Sequence, residues 1–184
     1  TQNNVTTLKQ RGVEIIGPAA GHLASGLVGV GRMSEPAEIL GSVRWKLGQS
    51  GALAGKKVVV TAGGTQEAID PVRLITNRSS GKQGYAVAQA AIDQGAEVVL
   101  ITTPTALTPP TGCRLIAVRS AQEMLAATID ECNRAFALVM AAAVADFRPT
   151  NPADQKIKKG NDFTTIELEK TADILLRVAD QRAE

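Results

Sequence analysis

With 184 residues, 44% of them hydrophobic, the chain can bury the core of one ordinary domain and has room for a piece of a second. A formal charge of +2 and an aromatic set of one Trp, one Tyr and three Phe give neither the basic footprint nor the stacking platform of a nucleic-acid binder. The apolar stretches stop short of the roughly 20 residues that span a bilayer, and Thr1-Gln-Asn-Asn carries no basic leader. No nucleic acid, no membrane and a cytoplasmic location are therefore expected.

Thr7–Gly12 reads as the last turn of a helix stopped by Gly12, and Val13–Gly17 as a short strand. Pro18–Met33 is rich in glycine and reads as a loop. Ser34 is placed to cap a helix over Ser34–Leu47 with Ile39, Leu40, Val43 and Leu47 on its apolar face. Residues 48–55, Gly-Gln-Ser-Gly-Ala-Leu-Ala-Gly, read as a linker and set the expected domain boundary.

From Lys56 onward strands and helices alternate. Val58–Thr61 is a β-branched run ending in Gly63-Gly64-Thr65, where the backbone must come close to something. A long polar loop follows, closing on Asn77-Arg-Ser-Ser-Gly-Lys-Gln-Gly84 ahead of a helix over Gly84–Gln94 with Val87, Ala91 and Ile92 inward and Gly95 as its stop. Small side chains, hydroxyls, free amides and two cations at a helix N-terminus suit a phosphate. Strand two is Glu97–Thr102. Thr103–Gly112 is a Pro-rich loop, and strand three is Arg114–Val118. Ser120 and Glu123 form a capping box for a helix over Ala121–Asn133. Phe136–Ala141, almost wholly apolar, reads as a central strand. Phe163–Leu168 alternates like a strand, and Thr171–Arg182 reads as a helix with Ile174, Leu175 and Val178 inward. The expected fold is α/β, a Rossmann-like parallel sheet with helices on both faces in three layers.

Chemistry concentrates after strand four. Ala141-Ala-Ala-Val-Ala-Asp-Phe-Arg148 puts small residues and one carboxylate, Asp146, at a strand's carboxyl end, where open α/β sheets bind ligands. Lys156-Ile-Lys-Lys159 follows a polar, proline-containing stretch, which places its cations on a mobile arm. Cys113 and Cys132 have no ligand spacing and read as buried thiols. The single His22 leaves no His-based triad and no zinc site. No Walker A or Gly-x-Gly-x-x-Gly pattern occurs, no acidic residue ends strand two, and Tyr85 is followed by Gln89 rather than the Lys of a Tyr-x-x-x-Lys pair. All of this disfavours the alternative of an NAD(P)-dependent reductase.

Thr61-Ala-Gly-Gly-Thr-Gln-Glu67, Asp70-Pro-Val-Arg73, Thr76–Gly84, Ala141–Arg148 and Lys156-Ile-Lys-Lys159 together resemble phosphopantothenoylcysteine synthetase, the ligase half of a bifunctional bacterial coenzyme A biosynthesis flavoprotein. Residues 5–47, above all Gly26–Pro36, look like the tail of the decarboxylase that precedes it. The resemblance implies residues 1–47 as a decarboxylase remnant and 56–184 as the ligase domain, expected to be truncated at its C-terminus. It implies activation of 4'-phosphopantothenate by CTP as an acyl-cytidylate, then amide formation with cysteine and release of CMP and pyrophosphate. The expected cofactor is Mg²⁺, with FMN only in the missing decarboxylase domain. A homodimer through the ligase domain is implied, and a larger oligomer with the whole decarboxylase.

By the same likeness Asn77 and Lys156 are the expected catalytic residues, Asn77 holding the intermediate and Lys156 closing over the site. Asn77, Ala142 and Ala143 would bind substrate. Gly63, Gly64, Ser79, Ser80, Gly81, Lys82, Met140, Ala141, Ala142, Asp146, Lys156, Ala172, Asp173, Ile174 and Leu175 would bind nucleotide; the metal ligands stay open. Ala172 stands where the family carries Pro. Ser25 stands where the decarboxylase has its proton-donating Cys, and a hydroxyl is a far weaker acid than a thiol. Decarboxylation is therefore not expected, and a non-catalytic nucleotide-binding module remains the alternative from another class.

Overall fold

The structure, a computed structural model, describes residues 1–159 and 165–182. Helix α1 (Gln2–Gln10) ends at Gly12, whose φ of +81° only glycine adopts without strain. Val13–Gly17 forms no strand. The ladder lies instead in the stretch expected to be a loop, where β1 (Ala19–His22) pairs antiparallel with β2 (Val28–Arg32). Gly21, Gly29 and Gly31 account for the loop reading, since glycine is depleted in strands. Helix α2 (Pro36–Gly48) is capped by Glu35 rather than Ser34; the Glu35 and Glu38 side chains cap each other's backbone, and Pro36 opens the helix. Of its expected apolar face Ile39 is half-buried, while Leu40 and Leu47 are exposed.

Residues 48–55, expected as a linker, are seated on the next unit. A Cβ added at Gly48 or Gly51 would lie 2.5 or 2.4 Å from the Ile92 or Gln94 carbonyl oxygen. The Leu53 amide donates to Gln94 O at 2.8 Å, and Arg44 pairs with Asp93.

Strand β3 (Lys57–Ala62) leads into the loop expected to be irregular. The loop contains a hairpin, β4 (Gln66–Asp70) and β5 (Arg73–Thr76), with a bulge between Ala68 and Asp70. Helix α3 (Lys82–Asp93) starts two residues before the expected Gly84. Then come β6 (Glu97–Thr102), β7 (Arg114–Ala117), α4 (Ala121–Cys132), β8 (Ala137–Met140), β9 (Phe147–Pro149), β10 (Leu168–Lys170) and α5 (Ile174–Arg182). The Ser120 hydroxyl caps α4 by accepting from the Glu123 amide at 3.1 Å. The Glu123 carboxylate answers one residue early, accepting from Arg119 N at 2.6 Å. Where a strand was expected over Phe163–Leu168, β10 begins only at Leu168 and pairs antiparallel with β9; Phe163 and Thr164 lie outside the described residues. Strand pairing depends on the partner's register, which alternation along one strand does not carry.

The main sheet is parallel, in the order β7-β6-β3-β8. Val58, Val60 and Leu100 pack under Tyr85, Ala88 and Ile92 of α3. Val59, Val99 and Ile101 pack on the other face under Met124 and Leu125 of α4 and Ile174 and Val178 of α5. This is the expected three-layer arrangement. The expectation of a central β8 is corrected: among the described residues β8 pairs with β3 alone, and β3 and β6 are the enclosed pair. An apolar run reports burial of a strand's two faces and says nothing of its lateral neighbours. Leu175, expected inward, is 56% exposed.

Candidate functional site

Strand β3 and strand β8 leave the sheet side by side, and their extensions are sewn together by hydrogen bonds. Ala143 N donates to Gly63 O at 2.7 Å and Thr65 N to Ala143 O at 3.2 Å. The buried hydroxyls of Thr61 and Thr65 accept from Ala142 N at 3.2 Å and Ala145 N at 2.8 Å. The lateral direction of the chain reverses between these strands, since β3 leads to β6 and β7 on one side and β8 returns on the other. Such a switch point is where open α/β sheets form ligand crevices.

A cleft of about 460 Å³ opens there, lined by Met140, Ala142, Val144, Ala145, Asp146 and Phe147 from the β8 side. Lys170, Thr171, Ala172, Asp173, Ile174 and Leu175 line it from the entry to α5. Thr171 joins the two walls, its hydroxyl donating to Ala145 O at 2.6 Å and its amide to Asp146 O at 2.9 Å. Asp173 accepts from Leu176 N at 3.0 Å and so caps α5. The cleft thus gathers seven expected residues from two distant segments: Met140, Ala142, Asp146, Ala172, Asp173, Ile174 and Leu175. Exposure of Leu175 has its place here, in the wall of the cleft.

Ala141 and Ala143 do not line it. Ala143 is taken up by the bridge to Gly64. Asn77, at the end of β5, is exposed and donates from Nδ2 to Val144 O at 3.0 Å, behind a lining residue. The expected phosphate turn forms a neighbouring group. Gly63 and Gly81 have φ of +83° and +74°, and a Cβ on Gly81 would lie 3.4 Å from Gly63 N. The close approach that requires glycine is met by the protein's own atoms: Thr103 Oγ1 at Gly63 and the Asn77 carbonyl at Gly64. Gly81 caps α3 and has no side chain of its own to bond the first amides of the helix. Ser79 and Ser80 hydroxyls accept from the Gly81 and Lys82 amides at 3.4 and 3.5 Å, and Lys82 is exposed on the first turn.

Lys156 does not line the cleft. Its arm, expected to be mobile, is hydrogen-bonded to the tip of the β4–β5 hairpin between residues 153 and 157. Ser25 is exposed in the β1–β2 turn. Cys113 is half-buried just before β7, where burial pushes its thiol up, and Cys132 is buried. The reading of the sequence missed Val144, Ala145, Phe147, Lys170 and Thr171. Lys170 was the legible one, a cation two residues ahead of the Ala172-Asp-Ile-Leu175 run.

Fold and cleft define a three-layer α/β domain with a crevice at a switch point of its parallel sheet. The chain belongs to the family described as the DNA/pantothenate metabolism flavoprotein C-terminal domain, whose profile matches residues 53–184. It is 49% identical over 175 residues to the coenzyme A biosynthesis bifunctional protein CoaBC of Haemophilus influenzae, covering 95% of this chain and 44% of that protein. To the CoaBC of Mycobacterium tuberculosis (strain H37Rv) it is 49% identical over 189 residues, covering 100% of this chain and 45% of the relative. The chain therefore spans about half the length of the curated relatives it matches. Among solved structures, the C-terminal domain of a CoaBC aligns with a TM-score of 0.63 at 45% identity, over 72% of this chain and 62% of that one. A Cab2 mutant in complex with phosphopantothenate-cysteine shares the fold, with a TM-score of 0.58 at 17% identity over 80% of this chain and 68% of that one. Among the described residues, no helix is long and apolar enough to cross a membrane, and no three His, Cys, Asp or Glu side chains cluster as a metal site.

Proposed function

We propose that this chain carries the phosphopantothenate–cysteine ligase reaction of coenzyme A biosynthesis. The carboxylate of 4'-phosphopantothenate attacks the α-phosphorus of CTP, and the bond to pyrophosphate breaks. The cysteine amine then attacks the acyl carbon, loses its proton, and CMP departs with the bonding pair. The observation that carries this reading is the convergence of 140–146 and 170–175 on one cleft, with membership of the family in support.

In this reading the small side chains Ala142 and Ala145 leave room for the nucleotide, and Asp146 and Asp173 supply the polar contacts that orient it. Lys170 and the α3 N-terminus behind Ser79, Ser80, Gly81 and Lys82 supply positive potential for phosphates. Asn77 holds the acyl-cytidylate, and Ala142 and Ala143 bound the substrate. Lys156 neutralises charge that develops as the α-phosphate is attacked. The donor set fits Mg²⁺ that arrives with the triphosphate, since Mg²⁺ is usually held by one or two carboxylates plus substrate phosphates, and Asp146 and Asp173 both face the cleft. When bound, Mg²⁺ withdraws charge from the phosphates.

The test is pyrophosphate release from the purified chain with phosphopantothenate, Mg²⁺ and either CTP or ATP, beside Asn77→Asp and Lys156→Gln. Release with CTP that fails in Lys156→Gln is expected. Folded protein that releases none with either nucleotide refutes the proposal for this chain, and a CTP titration then separates a silent binding module from a wrong assignment.

A further inference from the structure

The element absent from the sequence-based expectation, the β4–β5 hairpin, connects the two residues assigned to catalysis. Asn77 leaves its base, where the Thr76 hydroxyl donates to Thr65 O at 2.7 Å. The arm bearing Lys156 docks at its tip, about 13 Å away for four residues of strand from Arg73 to Asn77. The dock is built on Asp70, which is buried. Its Oδ1 accepts from Val72 N at 2.9 Å and Arg73 N at 2.8 Å, closing the hairpin turn. Its Oδ2 accepts from Arg73 Nε at 2.9 Å and, across the gap, from Ile157 N at 3.1 Å. The Arg73 guanidinium in turn donates to Ile157 O. Both backbone polar groups of the residue that follows Lys156 are thus held by one ion pair. A second tether, Ala153 N to Ile69 O at 2.9 Å, holds the arm on the other side.

Five residues fastened at both ends fix where the exposed Lys156 side chain starts. Burial pushes the Asp70 carboxyl up, but the amides of Val72, Ile157 and Arg73 and the Arg73 guanidinium outweigh burial and hold it at about 2. The dock therefore stays charged throughout the neutral range. We propose that Asp70, acting with Arg73 through the Ile157 peptide group, is the positioning residue that sets Lys156 for the nucleotidyl-transfer step, an inference that rests on the ligase reading above.

Asp70→Asn separates the two jobs of the carboxylate. The amide oxygen still accepts the turn amides in the place of Oδ1, while the NH₂ group in the place of Oδ2 can no longer accept from Ile157. In the full chain, Asp70→Asn is expected to lower kcat for pyrophosphate release about 10- to 100-fold, the scale for a misplaced reacting group, with CTP affinity within two-fold of wild type. Asp70→Asn combined with Lys156→Gln is expected to lose no more than Lys156→Gln alone, because both act through the same ammonium. Unchanged kcat in Asp70→Asn, or losses that multiply in the double variant, would overturn the proposal. If Asp70→Asn does not fold, Ile157→Pro, which removes the amide that Asp70 accepts from and spares the buried carboxylate, decides by the same two criteria. Should the wild-type chain turn over no CTP, the ligase reading fails and the catalytic role with it. Hydrogen exchange of the Ile157 amide reports the dock separately: about ten-fold faster exchange in Asp70→Asn upholds it, and an unchanged rate overturns it.

Discussion

Thr65→Val tests whether the cleft is held by the hydrogen bonds that join β3's extension to β8's. Thr65 is fully buried, and its hydroxyl accepts from Ala145 N at 2.8 Å. Valine fills nearly the same volume, so no cavity opens, but it leaves the Ala145 amide, buried at 4% exposure, without its acceptor. An orphaned buried donor costs about 1–3 kcal/mol, out of a total near 5–15 kcal/mol for a domain. For a urea slope of about 2 kcal/mol/M the midpoint should fall by roughly 0.5–1.5 M. Thr103→Val is the matched control, since Thr103 is 1% exposed and its hydroxyl finds no partner among the described residues. That exchange removes a polar group buried without compensation and should be neutral or stabilising. Urea titrations followed by far-UV circular dichroism compare the two. A Thr65→Val midpoint within 0.2 M of wild type (about 0.4 kcal/mol at that slope), or equal losses in both variants, would refute the reasoning. Because Ala145 lines the cleft, CTP binding by Thr65→Val should weaken as well, measured by calorimetry.

Three further outcomes are expected. Gly84→Ala gains helix propensity but puts a Cβ 2.6 Å from Ala62 Cβ and 2.7 Å from Thr61 O, so α3 must back away from β3. Thermal unfolding should show a net loss of about 1–3 kcal/mol, the usual cost of overpacking. The Asp70 carboxyl is held at about 2 in the folded chain, below its value near 3.9 when unfolded. Its contribution is therefore complete above about pH 4 and is lost as pH falls from there through about 2. Acid titration should show this loss in wild type and not in Asp70→Asn. Glu131 is held low chiefly by its hydrogen bond from Arg114, against burial and with help from Lys57. Its contribution is likewise present above the ordinary carboxylate range and lost on acidification. Arg114→Met should shift the acid unfolding midpoint upward, checked by the same titration.

The alternation of short β-branched runs with amphipathic helices is a local property, and it determined the parallel sheet, the two covered faces and the helices α3, α4 and α5 to within a few residues. Ser120 and Gly95 could be read for the same reason, since a cap and a helix stop depend only on nearby backbone. The 140–146 and 172–175 segments were also legible, each as a motif. Only the tertiary structure decided that the two form opposite walls of one cleft, because the sheet order that brings them together depends on which strands pair and in what lateral sequence. It also decided that the loop after β3 is a hairpin and that the Lys156 arm is docked on it. Asp70 stands in the sequence only as the first residue of the Asp70-Pro-Val-Arg73 motif, with no role of its own attached. Its role as acceptor for Ile157 spans a separation of 87 residues, and no spacing rule along the chain encodes a hydrogen bond that long-range packing alone brings into reach.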